Sequence, residues 1–438
     1  RVNGIYTGCG KSRHSEDISM IMKNSIIKTV YSKSKYLPLF PDLSSIQHKS
    51  SPLQKFRHIM FIAGEPSGDL HGSALLKAIK KIDPDIRFTG IGGDMMKNQG
   101  MELFFHMDKL SVMGFTEVIS RFGIIKKAFT TFRKMSIIHR PCLLIVIDYP
   151  GFNLKAAAFA RKHSIPVLYY ITPKVWAWNR SRIKKIRKYV SHAALILPFE
   201  EPLFKKEKIP STFVGHPLLD YYTEEMIKHD FQGKITGKQG EKDRDEFIIG
   251  LLPGSREAEI ANLFEIMLQA AEIIYAKTSR VRFLVSMADS VNKENFNSIL
   301  ERYNRDNFFE VIKGSPVKIF EKADFLVAVS GTVTLEAAIC GIPMVIIYKM
   351  SFLTYMLAKS FVKIKYAGLA NIIAGREIVP ELIQDDASCE KISEKVISLL
   401  NVKDLSLMRA RLLMVRKMLG GRGASERTAK IALNMIEK

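Results

Sequence analysis

The stretch from Ala323 to Tyr348, ADFLVAVSGTVTLEAAICGIPMVIIY, constrains the fold more tightly than any other in this chain. Asp324–Val329 is a short apolar run with branched side chains, long enough for one buried strand. Ser330-Gly331-Thr332 reads as a tight turn whose hydroxyls can cap a helix over Val333–Cys340, and Gly341 and Pro343 end that helix. Met344–Ile347 is the next buried strand. A strand–turn–helix unit of this kind presents backbone N–H groups at the carboxyl end of a parallel sheet, where anionic ligands bind. Glu336 lies one helical turn past Thr332 and faces the same zone. A carboxylate would repel phosphate, but as a pure acceptor it suits the hydroxyls of a sugar. The stretch therefore fits a nucleotide-sugar site. It fits equally an ordinary βαβ unit with a solvated glutamate.

The 438 residues suggest two domains. No apolar run reaches the roughly 18–20 residues that cross a bilayer. The net charge of +22 calls for an anionic partner: nucleic acid, anionic lipid or a phosphorylated substrate. Cys9, Cys142, Cys340 and Cys389 are scattered with no CxxC pair, the pattern of free thiols in a reducing compartment, and no histidine spacing suggests a metal site. Residues 1–56 are set apart by Ser, Lys and Arg, with few acids and poor apolar periodicity. They read as a disordered basic extension, comparable with a transit segment or an over-extended reading frame.

From residue 57 the chain alternates strands and helices. His58–Ala63 is the first strand, followed by the loop Gly64–Asp69 and a helix from about Leu70 to Lys81. The loop matches neither GxGxxG nor GxxxxGK[ST] and carries Glu65 and Asp69 where a phosphate loop would avoid acids. It suits hydroxyl recognition or proton transfer, although Asp69 could equally be a helix cap. Arg87–Gly93 is the second strand. Residues 112–140 then interleave Phe122, Ile125, Phe129 and Phe132 with Lys126, Lys127, Arg133 and Lys134, which suits either a membrane-surface helix or a core-facing helix with a solvated basic face. The strand Pro141–Ile147 ends at Asp148, before a Pro-Gly break, at the ligand crevice of an open α/β sheet. Partial burial there would raise its pKa toward that of a useful base. After a helix over 154–163 and a strand over 166–171, the loop Thr172–Trp178 holds both tryptophans of the chain, suited to sugar faces, acyl chains or simple loop packing. Strands near 193–197 and 211–215 complete a six-strand half, and residues 221–246 read as a linker.

The second half repeats the alternation, with strands at 247–252, 281–285, 309–312, 324–329 and 343–347. Pro253-Gly254-Ser255-Arg256-Glu257, between the first of these and a helix, is a credible diphosphate grip, with Ser255 as cap and Arg256 as bidentate donor. A second apolar and basic run covers 351–366, and helices near 388–400, 404–419 and 424–437 close the chain.

Eight runs occur in order: AGEPSGDLHG (63–72), MGFTEV (113–118), IDYPGFN (147–153), KVWAW (174–178), GHP (215–217), LLPGSREAEI (251–260), SGTVTLE (330–336) and NIIAGRE (371–377). Together they resemble the lipid-A-disaccharide synthase family of Gram-negative bacteria over about residues 57–435. The resemblance implies the α/β GT-B fold. It divides the chain into an acceptor- and membrane-binding domain (57–220), the linker, a UDP-sugar-binding domain (247–400) and terminal helices (401–438) that return to the first domain. It implies an inverting transfer from UDP-2,3-diacylglucosamine to 2,3-diacylglucosamine 1-phosphate, giving a β(1→6) disaccharide 1-phosphate and UDP. The setting it implies is the cytoplasmic face of the inner membrane, with an anionic membrane surface as partner, no nucleic acid, and neither metal nor other cofactor. A homodimer is compatible with it.

An inverting displacement needs a base for the acceptor 6-hydroxyl and positive charge for the leaving UDP. By the resemblance Asp148 is the base, with Glu65 and Asp69 as rivals, and Arg256 neutralises the diphosphate. Glu336 takes the ribose hydroxyls and Asn371 faces the donor. Ser67, Gly68, Met113, Glu117, Lys174, Trp176, Trp178, His216, Gly254, Ser255, Gly331 and Thr332 complete the expected substrate-binding set. Where the family has LPNLLAG and PSVWAW, this chain has Ala370 before Asn371, and Lys174. Two alternatives stay open: another GT-B enzyme using UDP-N-acetylglucosamine, transferase or epimerase, and a basic nucleic-acid-binding protein. The latter has no zinc-finger spacing or RNP-like motif to support it.

Overall fold

A computed structural model describes residues 57–110, 122–176, 181–222, 226, 246–278, 281–303, 308–350 and 365–437. The basic extension, most of the linker, Met113, Glu117, Trp178 and the stretch 351–364 lie outside the described residues.

Two parallel sheets organise the chain. The first comprises β1 (His58–Ala63), β2 (Arg87–Gly92), β3 (Glu102–His106), β4 (Leu143–Ile147), β5 (Val167–Tyr170), β6 (His192–Leu195) and β7 (Ser211–Phe213), in the order β3-β2-β1-β4-β5-β6-β7. The second comprises β8 (Phe247–Leu252), β9 (Val281–Met287), β10 (Phe309–Lys313), β11 (Phe325–Val329), β12 (Met344–Tyr348) and β13 (Glu381–Ile383), in the order β10-β9-β8-β11-β12-β13. The central strands are buried along their length, as expected where helices cover both faces of a parallel sheet. Each sheet has one more strand than the sequence pattern predicts. β3 and β13 are edge strands whose residues are half-buried or exposed, so neither carries the continuous apolar run that marks the inner strands.

In the first half, α1 (Pro66–Ile82), α2 (Asp94–Asn98), α3 (Phe122–His139), α4 (Pro150–Lys162), α5 (Ser181–Tyr189) and α6 (Glu200–Lys206) flank the sheet. α1 and α4 begin four residues earlier than the pattern predicts, because Pro66 and Pro150 each open a helix instead of breaking the chain. Proline at the first helical position has its φ already set and gives up an N–H with no intrahelical partner. In the second half come α7 (Glu265–Lys277), α8 (Lys293–Glu301), α9 (Val317–Lys322), α10 (Thr332–Cys340), α11 (Leu369–Ala374) and α12 (Cys389–Leu399).

The last two helices divide between the halves. α13 (Val402–Met418) packs Met408, Leu412 and Val415 into the core shared with Ala337, Ala338 and Ile346. α14 (Ala424–Ile436) puts Ala429, Ala432 and Leu433 against β1, β4 and α1. The chain therefore crosses between the halves twice, at 214–222 and at 416–427. The two crossings are bonded together: His216 N–H donates to the Leu419 carbonyl (2.9 Å), Gly423 N–H to Asp220 (2.6 Å) and Arg427 Nε to the Val214 carbonyl (2.7 Å).

Candidate active site at the two switch points

Both sheets reverse winding direction at one place, between β1 and β4 in the first half and between β8 and β11 in the second. Ligands of doubly wound folds bind beyond the carboxyl ends of those strands. Four segments emerge there: Gly64–Glu65 after β1, Asp148 after β4, Pro253–Arg256 after β8 and Ser330–Thr332 after β11. The register pairs Ala63 with Ile147, which brings Glu65 and Asp148 out side by side.

Asp148 and Tyr149 both have φ of +43°, a left-handed conformation that costs free energy at non-glycine residues. Two side chains hold this turn. The Asn153 amide donates to the carbonyls of Ile147 (3.0 Å) and Asp148 (2.7 Å), and the Tyr169 hydroxyl donates to the Asp148 carbonyl (2.8 Å). Gly64 is required beside it, because a methyl group there would run into the Tyr149 ring. Burial raises the pKa of Asp148, while Lys174, the Tyr149 amide and Arg182 pull it back down. Glu65 is likewise raised by desolvation and by the neighbouring Asp148, and lowered by Arg256. Arg256 belongs to the other half, so the two switch points act on each other electrostatically.

The second-half switch point opens into a cavity of about 290 Å³, whose wall includes Gly254, Ser255, Arg256, Gly331, Thr332 and Glu336. No side chain caps α10, contrary to the expectation for the Ser-Gly-Thr turn. The Ser330 hydroxyl donates instead to the Ala367 carbonyl (3.1 Å). Glu336 accepts a 2.6 Å hydrogen bond from the Tyr222 hydroxyl; burial raises its pKa and this bond lowers it. The Gly-Ser-Arg turn also differs from expectation. Glu259 accepts from the amides of Ser255 (3.0 Å) and Arg256 (3.3 Å) and from Arg256 Nη1 (3.1 Å), so a carboxylate of the chain itself occupies these donors. Gly254, at φ +105°, lets Glu259 approach closely. A π-helical turn, Ile260–Phe264, comes directly after, a distortion that often marks functional sites.

Several expected ligand residues serve the fold instead. Asp69 is buried (2 % exposed), and its oxygens accept from the amides of Gly93 (2.7 Å), Met95 (3.0 Å) and Met96 (3.2 Å). It caps α2, not its own helix, and its acceptor capacity is committed to that task. Asn371 is fully buried and does not face a donor pocket. Its amide donates to Val379 and Glu381 and accepts from the amides of Ile378 and Val379, which closes the turn after α11. Gly68 lies inside α1 against Ala63 and permits close helix–strand packing, while Ser67 is exposed on the first turn. His216 is buried and accepts from the Leu218 amide through Nδ1 (3.3 Å), and desolvation holds its pKa down at about 3. Lys174 is exposed near Asp148, and Trp176 packs edge-on to Phe199 (4.9 Å between ring centroids). In α3 Phe132 is buried and Phe129 contacts Phe152, so these two rings face inward. The apolar groups left outside are Ile124, Ile137 and Ile138, beside exposed Lys126, Lys127 and Lys134.

Asn153, Tyr169, Tyr222 and Glu259 were absent from the expected set. Asn153 and Glu259 lie inside the IDYPGFN and LLPGSREAEI runs and could have been found there. Tyr169 and Tyr222 carry no sequence signal, being 21 and 114 residues from their partners.

Two doubly wound halves that offer a carboxylate pair at one switch point and a nucleotide-sized cavity at the other define a GT-B glycosyltransferase. Solved structures share the fold: MurG of Acinetobacter baumannii (TM-score 0.54, 14% identity, 86% of this chain and 99% of that one) and the calicheamicin glycosyltransferase CalG4 (TM-score 0.55, 14% identity, 88% and 99%). The family model described as lipid-A-disaccharide synthetase matches residues 59–434, and the lipid-A-disaccharide synthase of Geobacter sulfurreducens is 39% identical over 381 residues, 87% of this chain and 97% of that protein. The chain belongs to the lipid-A-disaccharide synthase family.

Proposed function

We propose that the chain transfers a diacylglucosaminyl group from UDP to the 6-hydroxyl of 2,3-diacylglucosamine 1-phosphate, with Asp148 as base. The observation that carries this reading is the placement of Asp148 and Glu65 at one switch point, under the influence of Arg256 from the nucleotide cavity at the other. Asp148 is the only one of the three rival carboxylates that ends a central strand in a strained, braced turn. Its raised pKa makes it a stronger base than a solvated aspartate, and Lys174 offsets part of that rise in favour of the ionised form. As the acceptor oxygen bonds to C1 of the donor, its proton passes to Asp148. The C1–O bond to the diphosphate breaks, and UDP departs with the electron pair. Arg256 and the amides around it offset the charge that develops there. Glu259 must give up those amides before the diphosphate can use them. Glu65 stands beside Asp148, whose charge raises the pKa of Glu65. Glu336 accepts from the ribose hydroxyls.

The protein works as a peripheral enzyme on an anionic membrane. Among the described residues no helix is long and apolar enough to cross one. The isoleucines and lysines on the outer face of α3 suit an interface in which apolar groups enter the lipid and cations meet the headgroups. The test is UDP release with the two diacylated substrates against a control with UDP-N-acetylglucosamine as donor. Release only with the diacylated pair supports the reading, and release with the control donor alone would overturn it.

A further inference from the structure

We propose that Tyr222, on the crossing between the halves, is a positioning residue for nucleotide recognition: it fixes the Glu336 carboxylate so that one oxygen is left for the ribose. This rests on the cavity at the second switch point being the UDP site.

Tyr222 is almost fully buried (4 % exposed) and is clamped to α10 at two levels. Its hydroxyl donates to Glu336 Oε2 at 2.6 Å. Its carbonyl accepts from Arg416 Nη2 (3.5 Å), and Nη1 of the same guanidinium donates to the carbonyl of Ile339, near the end of α10 (3.0 Å). The ring packs on Phe320, within the core that also holds Leu335 and Ile339. A phenol fixed this firmly removes the rotational freedom of a glutamate side chain before a ligand arrives, which lowers the entropic cost of binding. It leaves Oε1 free. A carboxylate held in this way accepts from a ribose hydroxyl without rearranging.

The phenol also governs protonation. The charged or titratable groups near Glu336 are Tyr222, which bonds to it, Cys340 one turn along α10 and itself next to Arg416, and, on the cavity wall, Arg256 and Glu259. Burial favours the neutral acid, and the Tyr222 hydrogen bond opposes it. Without the phenol, Glu336 stays protonated to higher pH.

The test measures binding of UDP and of 2′-deoxy-UDP by calorimetry between pH 5 and 8, on the full chain. Tyr222→Phe keeps the ring and removes only the hydroxyl. UDP affinity is expected to fall about ten-fold, as for loss of a hydrogen bond to a charged group. The acid limb of binding should move to higher pH, and the preference for UDP over 2′-deoxy-UDP should shrink. A repacking effect alone would move neither the pH limb nor the ribose preference. Glu336→Gln should abolish both, and adding Tyr222→Phe to it should cost little more, because the two side chains act as one unit. Wild-type UDP binding with an unchanged profile in Tyr222→Phe, or additive effects in the double variant, would overturn the inference alone. Failure of the wild-type chain to bind UDP at any pH would overturn the site assignment and the inference with it.

Discussion

Asp69 and Asp148 provide the sharpest test of the proposed site, because the structure puts two similar side chains in opposite settings: Asp69 is bonded to three backbone amides, and Asp148 stands at the end of a central strand in a strained turn. In Asp69→Asn, the amide oxygen can replace Oδ1 and keep the bonds to Gly93 and Met96, but the new NH2 then faces the Met95 amide donor. One charge-assisted bond is lost and a buried donor is left without an acceptor, at a cost of about 2–4 kcal/mol. The urea midpoint should fall accordingly, while turnover per folded molecule changes little. Asp148→Asn should do the reverse. Burial already opposes ionisation of Asp148, so a neutral isostere relieves that penalty, and stability should be equal to or slightly above wild type. Turnover should fall by about 10²-fold or more, as expected on loss of a general base. The assay pairs urea unfolding followed by far-UV circular dichroism with UDP release from the diacylated substrates. An Asp69→Asn protein of wild-type stability that has lost turnover would refute this division of labour. So would an active but destabilised Asp148→Asn.

The same geometry fixes other outcomes. Lys174 lowers the pKa of Asp148, so Lys174→Met should move the rising limb of the pH–rate profile to higher pH; a profile that stays in place separates Lys174 from the base. Glu259→Gln removes the charge held by the Ser255 and Arg256 amides, and the exposed Arg256 contact is worth at most about 1 kcal/mol, so UDP binding should tighten by up to about five-fold. Weaker binding would mean that Glu259 supports the ligand instead of competing with it. Charge reversal at Lys126, Lys127, Arg133 and Lys134 should weaken binding to anionic vesicles by about 1 kcal/mol per residue near the surface, and unchanged sedimentation with vesicles would remove α3 from the membrane contact.

Sequence by itself determined the class of fold and the address of the site. Short buried runs such as Leu143–Ile147 and Phe325–Val329, rich in branched residues and bounded by turn signals, read as inner strands of a parallel sheet, and the residues just beyond an inner strand at a switch point lie where ligands bind. Asp148, Glu65, Arg256 and Glu336 could therefore be placed at or just beyond those strand ends from the pattern, while the roles proposed for them came from the family resemblance. The short edge strands Glu102–His106 and Glu381–Ile383 were not, because half-exposed residues leave no apolar run to read. The tasks of the polar side chains were not legible either. Asp69, Asn371 and His216 carry the residue types of a binding site, yet each is buried and bonds to backbone amides, local for His216 and more distant along the chain for Asp69 and Asn371. Tyr222 is the converse, a residue with no local signal that reaches Glu336 only because the chain crosses between the halves at that point. Local pattern sets which face of a strand or helix is apolar. Which carboxylate is left free to act depends on donors from distant parts of the chain, and only tertiary packing supplies them.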